Sequence, residues 1–351
     1  MLKSHVFTWL FYFQTKELQM LKKDPLQIIA FQTYGTNKRI YLRGRALEDE
    51  NINLNDKGIF KSFINAWKRF ESDEIKHTKL VVKIGEDMCF YTKTDKRGYF
   101  LIDEAVENLN NKTNSEGWVQ MQWSFSEPHL GRTIQLQNKF PGEMLIPSPK
   151  CKFGVISDID DTILHTGLVS NLKWRVVYNT IFKSAAGRSP LMGAPEFYHL
   201  LHRGKTTLEA NPIFYVSHSP WNLYRYLEYF LKKNSFPKGP IILRNFPKPF
   251  QKKAKGEKPQ KQKEIINLLK TYPDLKFILI GDSGELDPFI YLEIAKTFPD
   301  KILAIYLRNV EHNKKMLRAK SLYENYKTIP VLLVEHSEQA IKHARDNGFI
   351  A

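Results

Sequence analysis

Phe153-Gly-Val-Ile-Ser-Asp158-Ile-Asp160-Asp161-Thr162-Ile163-Leu164 is the stretch that decides the fold. Its apolar opening reads as a buried strand of a parallel sheet, and it ends abruptly in three carboxylates and a threonine. Acids crowded at the carboxyl end of a buried strand raise one another's pKa, and a divalent cation is the usual remedy. Oxygen-only ligands favour a hard ion such as Mg²⁺ over zinc. The reading is a metal site at the rim of an α/β sheet, where such folds bind their ligands. A solvated acidic turn would give the same residues, so the rest of the chain has to decide.

From Cys151 onward, strand-like apolar runs at 153–157, 213–217, 240–243, 276–281, 302–306 and 331–334 alternate with helical patterns near 194–203, 221–233, 261–270, 288–297 and 337–347. Ser337 reads as the N-cap of the last helix. This alternation predicts an α/β fold with a Rossmann-like, doubly wound parallel sheet over residues 147–351. Residues 1–146 differ in character. Segments at 27–33, 39–44, 80–84 and 118–124 alternate apolar and polar residues, as half-buried antiparallel strands do. A turn at 94–100 with Gly98 at positive φ and an amphipathic helix over 57–70 complete a small β-sandwich-like domain, and Pro147-Ser-Pro149 forms a stiff linker.

Two further strand ends carry chemistry. Pro212-Ile-Phe-Tyr-Val-Ser217-His218-Ser-Pro-Trp221 ends a buried strand in a hydroxyl before a helix, whose amides could join an anion site. A simple capping role suits Ser217 as well. His218 and Trp221 suit substrate contact or packing equally. Lys276-Phe-Ile-Leu-Ile-Gly281-Asp282-Ser-Gly284-Glu-Leu-Asp287 ends a second buried strand in acids spaced Gly-Asp-x-x-x-x-Asp, with Gly281 and Gly284 expected to let the backbone turn tightly. Of the nearby lysines 258, 261 and 263, Lys261 has the helical phase of Ile265 and points toward the sheet.

The pattern Asp158-x-Asp160-x-Thr162 resembles the signature of the haloacid dehalogenase superfamily of phosphohydrolases. The resemblance implies that Asp158 attacks phosphorus and Asp160 acts as general acid/base. It implies Ser217, with Thr162 and His218, on the phosphoryl oxygens and Lys261 steadying the nucleophile. It places Mg²⁺ on Asp158, Asp282 and the main-chain carbonyl of Asp160, with Asp287 a ligand or the partner of one. A carboxylate nucleophile splits one hard displacement into two easier ones, and strand alternation puts a second carboxyl at i+2 on the same side.

Three segments, 157–163, 215–224 and 279–288, resemble the catalytic domain of the actin-patch-associated phosphatidate phosphatases, bacterial members included. Gln260-Lys261 departs from the His-Lys common in that family. The resemblance implies Mg²⁺-dependent hydrolysis of phosphatidate to diacylglycerol and phosphate. A phosphatase of soluble phosphomonoesters or nucleic-acid ends is the alternative, and a non-catalytic module is opposed by the intact Asp158/Asp160 pair.

The bulk properties bound the rest. At 351 residues and 42% hydrophobic, the chain suits two domains. Two cysteines make no disulfide framework, which favours the cytoplasm. The apolar stretch 6–13 is too short to span a bilayer and lacks a cleavage site, and no run reaches transmembrane length. The net charge of +16 calls for an anionic partner. Between Arg244 and Lys263 eight Lys or Arg face one acid, Glu257, which suits either an anionic surface or a solvated loop. The insert at 166–190 mixes Trp174, Ile181 and Phe182 with Lys173, Arg175 and Lys183. That mixture suits an anionic membrane interface, and equally an aromatic stripe packed on the sheet. The expected partners are a phospholipid substrate and an anionic membrane surface at the cell's cytoplasmic side, with no nucleic acid. Oligomeric state is left open.

Overall fold

The computed structural model describes residues 24–48, 74–107, 109–127, 132–160, 162–163, 193–244, 257–309 and 313–351. The expected helix at 57–70, the stretch 6–13, the insert at 166–190, Asp161 and residues 245–256 of the basic run lie outside them.

The second half of the chain forms a six-stranded, all-parallel sheet from β9 (Gly154–Ser157), β10 (Ile213–Pro220), β11 (Ile241–Arg244), β12 (Phe277–Asp282), β13 (Ile302–Arg308) and β14 (Val331–Val334). The spatial order is β11-β10-β9-β12-β13-β14, the 3-2-1-4-5-6 winding of doubly wound folds. The chain proceeds outward from β9 in one direction and from β12 in the other. The carboxyl ends of β9 and β12 therefore flank the switch point, where the sheet opens a crevice. The six helices described are α1 (Ala194–Arg203), α2 (Tyr224–Lys233), α3 (Gln260–Thr271), α4 (Asp287–Thr297), α5 (Asn313–Tyr323) and α6 (Ser337–Asp346). Strand alternation sends Val155 to the layer of Phe197, Leu227 and Ala344, and Ile156 to the layer of Ile265, Leu268 and Ile290. The sheet is thus covered on both faces, which is why its strands read as continuous apolar runs.

Two details differ from the sequence reading. Helix α5 was not foreseen. And α6 begins at Ser337, so its cap position is His336, with the Gln339 side chain accepting from the backbone N–H of Glu335 at 2.8 Å. Ser337 itself is buried in the first turn.

Ahead of this sheet, eight strands from β1 (Leu26–Ala30) and β2 (Thr33–Thr36) through β3 (Arg39–Glu48), β4 (Lys79–Ile84), β5 (Met88–Lys93), β6 (Tyr99–Ala105), β7 (Trp118–Phe125) and β8 (Phe140–Leu145) make one hydrogen-bonded network, antiparallel except for β2 with β8. The β-rich expectation holds for the described residues, but the strands join one sheet rather than two separate ones. Gly98 has φ 75°, and a side chain there would meet the Ala46 carbonyl.

The β region and the α/β region share their cores. Phe31 is buried and stacks on Trp221 at 4.5 Å between centroids, with the Arg43 guanidinium 4.6 Å from the same indole ring. The Gln32 N–H donates to the Tyr224 hydroxyl at 2.7 Å, Asn267 donates to the Tyr34 hydroxyl at 2.6 Å, and the Tyr272 hydroxyl donates to the Gly35 carbonyl at 2.9 Å. Trp221 directly follows β10, so the β region braces the strand that carries Ser217. Its position answers for packing rather than for substrate contact. Phe31→Ala is expected to cost about 3–5 kcal/mol of stability. Because the core is shared, thermal unfolding should remain one transition moved to lower temperature. A separate shift of the β region alone would contradict the shared core.

Candidate active site

Asp158 leaves β9 immediately after Ser157, and its N–H donates to the Ile280 carbonyl of β12 at 2.8 Å, which fixes its backbone across the switch point. Asp282 closes β12 and Asp287 opens α4, so two acids from the second strand end converge on the first. Asp158, Asp282 and Asp287 are fully buried, and each offers a carboxylate oxygen within 4.8 Å of the others.

Lys261, at the start of α3, places its Nζ 2.7 Å from Asp158 Oδ1 and 2.5 Å from Asp287 Oδ1. Its side chain is wholly buried, and the Tyr291 ring lies 5.8 Å from the ammonium. By contrast Lys258 pairs with Glu293 and Lys263 with Glu257, both at the surface. Of the three lysines the structure brings Lys261 alone into the cluster. Burial works against its charge, yet Asp158 and Asp287 outweigh that and hold its pKa above the ordinary lysine value.

One ammonium does not neutralise three carboxylates. Burial first, then Asp287, Asp160 and Asp282, push the Asp158 carboxyl well above the usual range against the pull of Lys261. Burial and Asp287 raise Asp282 to about 7, although Lys261 and the amides of Gly284 and Glu285 favour its charged form. Those amides donate to Asp282 Oδ1 at 2.5 and 2.8 Å. The second oxygens, Asp282 Oδ2 and Asp287 Oδ2, are buried with no hydrogen-bond donor. Buried carboxylate oxygens without donors are costly unless a cation meets them. The donor set is oxygen throughout, and it fits a hard divalent ion.

Gly281 makes room for this arrangement. Neither it nor Gly284 has a positive φ, so the bend at Ser283–Leu286 that follows β12 uses no left-handed glycine. A side chain at Gly281 would collide with the Asp287 carboxylate and the Tyr291 ring.

Asp160 stands apart from the three-acid cluster. Its Oδ2 accepts from the Ser217 hydroxyl at 2.6 Å and from the Ser219 hydroxyl at 3.1 Å, while the Ser219 N–H donates to Ser217 Oγ at 2.8 Å. In this geometry the Ser217 hydrogen is directed at Asp160, and an arriving phosphate would compete for it. Thr162 Oγ1 donates to Asp158 Oδ2 at 3.3 Å. His218 is half-buried, and strand alternation puts it on the opposite side of β10 from the two serines.

Sequence reasoning did not single out Ser219, although the i+2 spacing from Ser217 was a usable signal. It counted Arg244 only as the start of the basic run and gave Glu285 no role. Arg244 ends β11, where burial lowers its pKa against the opposing charges of Asp160 and Glu285. Glu285 is pushed up to about 8 by burial and then by Asp160, Asp282 and Asp287.

A 3-2-1-4-5-6 parallel sheet with acids at both switch-point strand ends, a buried lysine between them and paired hydroxyls on a separate carboxyl makes this an α/β protein with a carboxylate centre. Residues 153–309 match the family described as "Phosphatidate phosphatase APP1, catalytic domain", and this part of the chain belongs to that family. The chain is 32% identical over 247 residues to "Phosphatidate phosphatase APP1" of Saccharomyces cerevisiae, a match covering 68% of this chain and 39% of that protein. It is 28% identical over 301 residues to an uncharacterized protein of Schizosaccharomyces pombe, covering 83% of this chain and 45% of the other. The chain thus spans less than half the length of these relatives.

Proposed function

We propose that this chain is a Mg²⁺-dependent phosphatidate phosphatase, with a β-rich domain over 1–146 and the phosphatase domain over 147–351, working in the cytoplasm at an anionic membrane surface. The observation that carries this reading is the buried Asp158–Lys261–Asp287–Asp282 centre beside the hydroxyl-held Asp160, within the segment that belongs to the phosphatidate phosphatase family. Among the described residues no helix is long and apolar enough to cross a membrane.

Asp158, Asp282, Asp287 and the Asp160 carbonyl would hold the ion, which when bound neutralises charge on the carboxylates and on the phosphoryl oxygens. The chain's own residues carry the rest. Lys261 fixes one oxygen of Asp158 and leaves the other, toward Thr162, to attack phosphorus. As the new O–P bond forms, the bond to the diacylglycerol oxygen breaks, and Asp160 delivers a proton to that oxygen. In the second step Asp160 takes a proton from water as the water oxygen attacks phosphorus. The Asp158–phosphorus bond breaks, phosphate departs, and Asp158 and Asp160 return to their starting states. Phosphoryl transfer asks mainly for positioning and charge neutralisation, and a preformed buried centre supplies both.

A substrate panel tests the reading. Phosphatidate, lysophosphatidate, nucleotides and sugar phosphates are compared with Mg²⁺ and with EDTA. Preference for phosphatidate, lost in EDTA, is expected. Preference for a soluble ester would replace the lipid reading with the soluble-phosphomonoesterase one.

The cation has a signature independent of turnover. Without it, the folded protein keeps a proton on Asp282 to about pH 7, whereas the unfolded chain loses it near the ordinary 3.8. The folded state binds more protons in that window, so stability is full below it and falls as pH rises through it. Thermal unfolding in EDTA should therefore shift to lower temperature as pH rises from about 4 to about 7. Added Mg²⁺ should raise the midpoint, more so at the higher pH because its ligands must be deprotonated. A midpoint indifferent to Mg²⁺ at every pH would contradict the site.

A further inference from the structure

Helix α5 emerges from the carboxyl edge of the sheet, after β13, and is tied to the acidic loop. Lys315 Nζ donates to the Gly284 carbonyl at 2.7 Å, and the Tyr323 hydroxyl donates to the Pro288 carbonyl at 2.7 Å. The Arg318 guanidinium lies 4.5 Å from the centre of the Phe289 ring. Gly284, Pro288 and Phe289 flank Asp287, so the first turns of α5 stand beside the carboxylate centre.

The outward face of this helix has an unusual make-up for a solvated surface. Asn313–Tyr323 carries Lys314, Lys315, Arg318 and Lys320 and no acid. Lys314, Arg318 and Lys320 are exposed, and between them Leu317 is 58% exposed. In the loop to which α5 is tied, Leu286, one residue before Asp287, is 47% exposed. Phe289 is half-buried in the same place. Two exposed leucines, one among the cations of α5 and one in the loop to which α5 is tied, are the apolar part of this surface.

We propose that this surface, Leu286 and Leu317 with Lys314, Arg318 and Lys320, docks the protein on an anionic lipid bilayer. The inference rests on the phosphatidate reading above and adds the surface by which that substrate is reached. Charge complementarity chooses the occupant: the helix is purely basic, and the chain carries +16 overall. Two exposed leucines fall far short of the roughly 800 Å² per partner that a stable protein interface buries. Shallow insertion of one or two apolar side chains, reinforced by cations over anionic headgroups, needs no more than this. The ties of α5 to Gly284 and Phe289 put this helix on the side of the molecule where Asp287 enters the centre.

The test uses the full chain and two variants, Lys314→Gln/Arg318→Gln/Lys320→Gln and Leu317→Ser. Co-sedimentation with phosphatidylcholine vesicles, with and without phosphatidylserine, is measured beside hydrolysis of short-chain dispersed phosphatidate and of vesicle-borne phosphatidate. Wild type is expected to bind the phosphatidylserine vesicles in a salt-sensitive way. Each cation removed should weaken that about 5-fold, on the order of 100-fold for the triple variant. Vesicle-borne turnover should fall with it, while turnover of the dispersed substrate stays at the wild-type value and the unfolding midpoint drops by no more than the loss of the Arg318–Phe289 contact accounts for. Binding of the triple variant equal to wild type, or wild-type binding indifferent to phosphatidylserine, overturns the proposal. Sedimentation needs no turnover, so failure to hydrolyse phosphatidate at all would remove the proposed function and leave the docking surface decided by the binding arm.

Discussion

Asp158→Asn is expected to lower Mg²⁺-dependent phosphate release by about 10⁴-fold or more, on the scale seen when a covalent nucleophile is removed. The amide has the size of the carboxylate but no charge with which to attack phosphorus. The fold should survive the change. Lys261 keeps its 2.5 Å partner Asp287, so its buried charge is not orphaned. Asp158 is held at a raised pKa by burial and by three neighbouring carboxylates, so its negative charge is destabilised where it stands. Removing that charge relieves the crowding, and the midpoint in EDTA should match or exceed that of wild type. Phosphate release and thermal unfolding on the same preparation check both halves. Turnover within about 10-fold of wild type would take Asp158 out of the nucleophile role.

Lys261→Met should lose both activity and stability. The ammonium is the buried cation between Asp158 and Asp287, and an apolar side chain leaves those carboxylates uncompensated at no exposure to water. Breaking a buried pair by removing one partner typically costs about 3–5 kcal/mol. The sign with pH is simple. The folded-state pKa lies above the ordinary 10.5, so the stabilisation is fully present through neutral pH and is lost only in strong base. Chemical denaturation in EDTA should show the loss, and Mg²⁺ should restore part of it by supplying another cation to the same oxygens. Lys258→Met and Lys263→Met make the comparison decisive. Their partners Glu293 and Glu257 are at the surface, so each change should stay within about 0.5 kcal/mol of wild type. A large loss in either of those, with Lys261→Met unaffected, would reverse the assignment.

The α/β sheet was legible because its central strands β9 and β12 are buried on both faces and run straight into acids at their ends. Asp158 and Asp282 sit at such ends, and the winding order puts both at the switch point. Lys261 could be chosen over its neighbours because helical phase says which side of α3 meets the sheet. Other features depend on contacts that no local pattern contains. The work of Gly281 is to admit the Asp287 carboxylate from six residues away, which spacing alone does not show. Helix α5 looks like a solvated charge run, since its hold on the protein comes from Lys315 and Tyr323 reaching carbonyls about 30 residues back in the chain. The shared core was hidden for the same reason. Phe31 and Trp221 are far apart in sequence, and nothing near either residue announces the other. Ser219 was overlooked because Ser217 already satisfied the expected motif, although both hydroxyls point at Asp160.

The central claim is that Asp158 accepts the phosphoryl group. Rapid-quench mixing with phosphatidate and Mg²⁺, followed by borohydride reduction and peptide mass spectrometry, tests it directly, because borohydride reduces an acyl phosphate on aspartate to homoserine. The expected result is homoserine at position 158, dependent on substrate and Mg²⁺ and absent with Asp158→Asn. Homoserine arising from another carboxylate, or phosphate release at an undiminished rate from Asp158→Asn, would contradict the account.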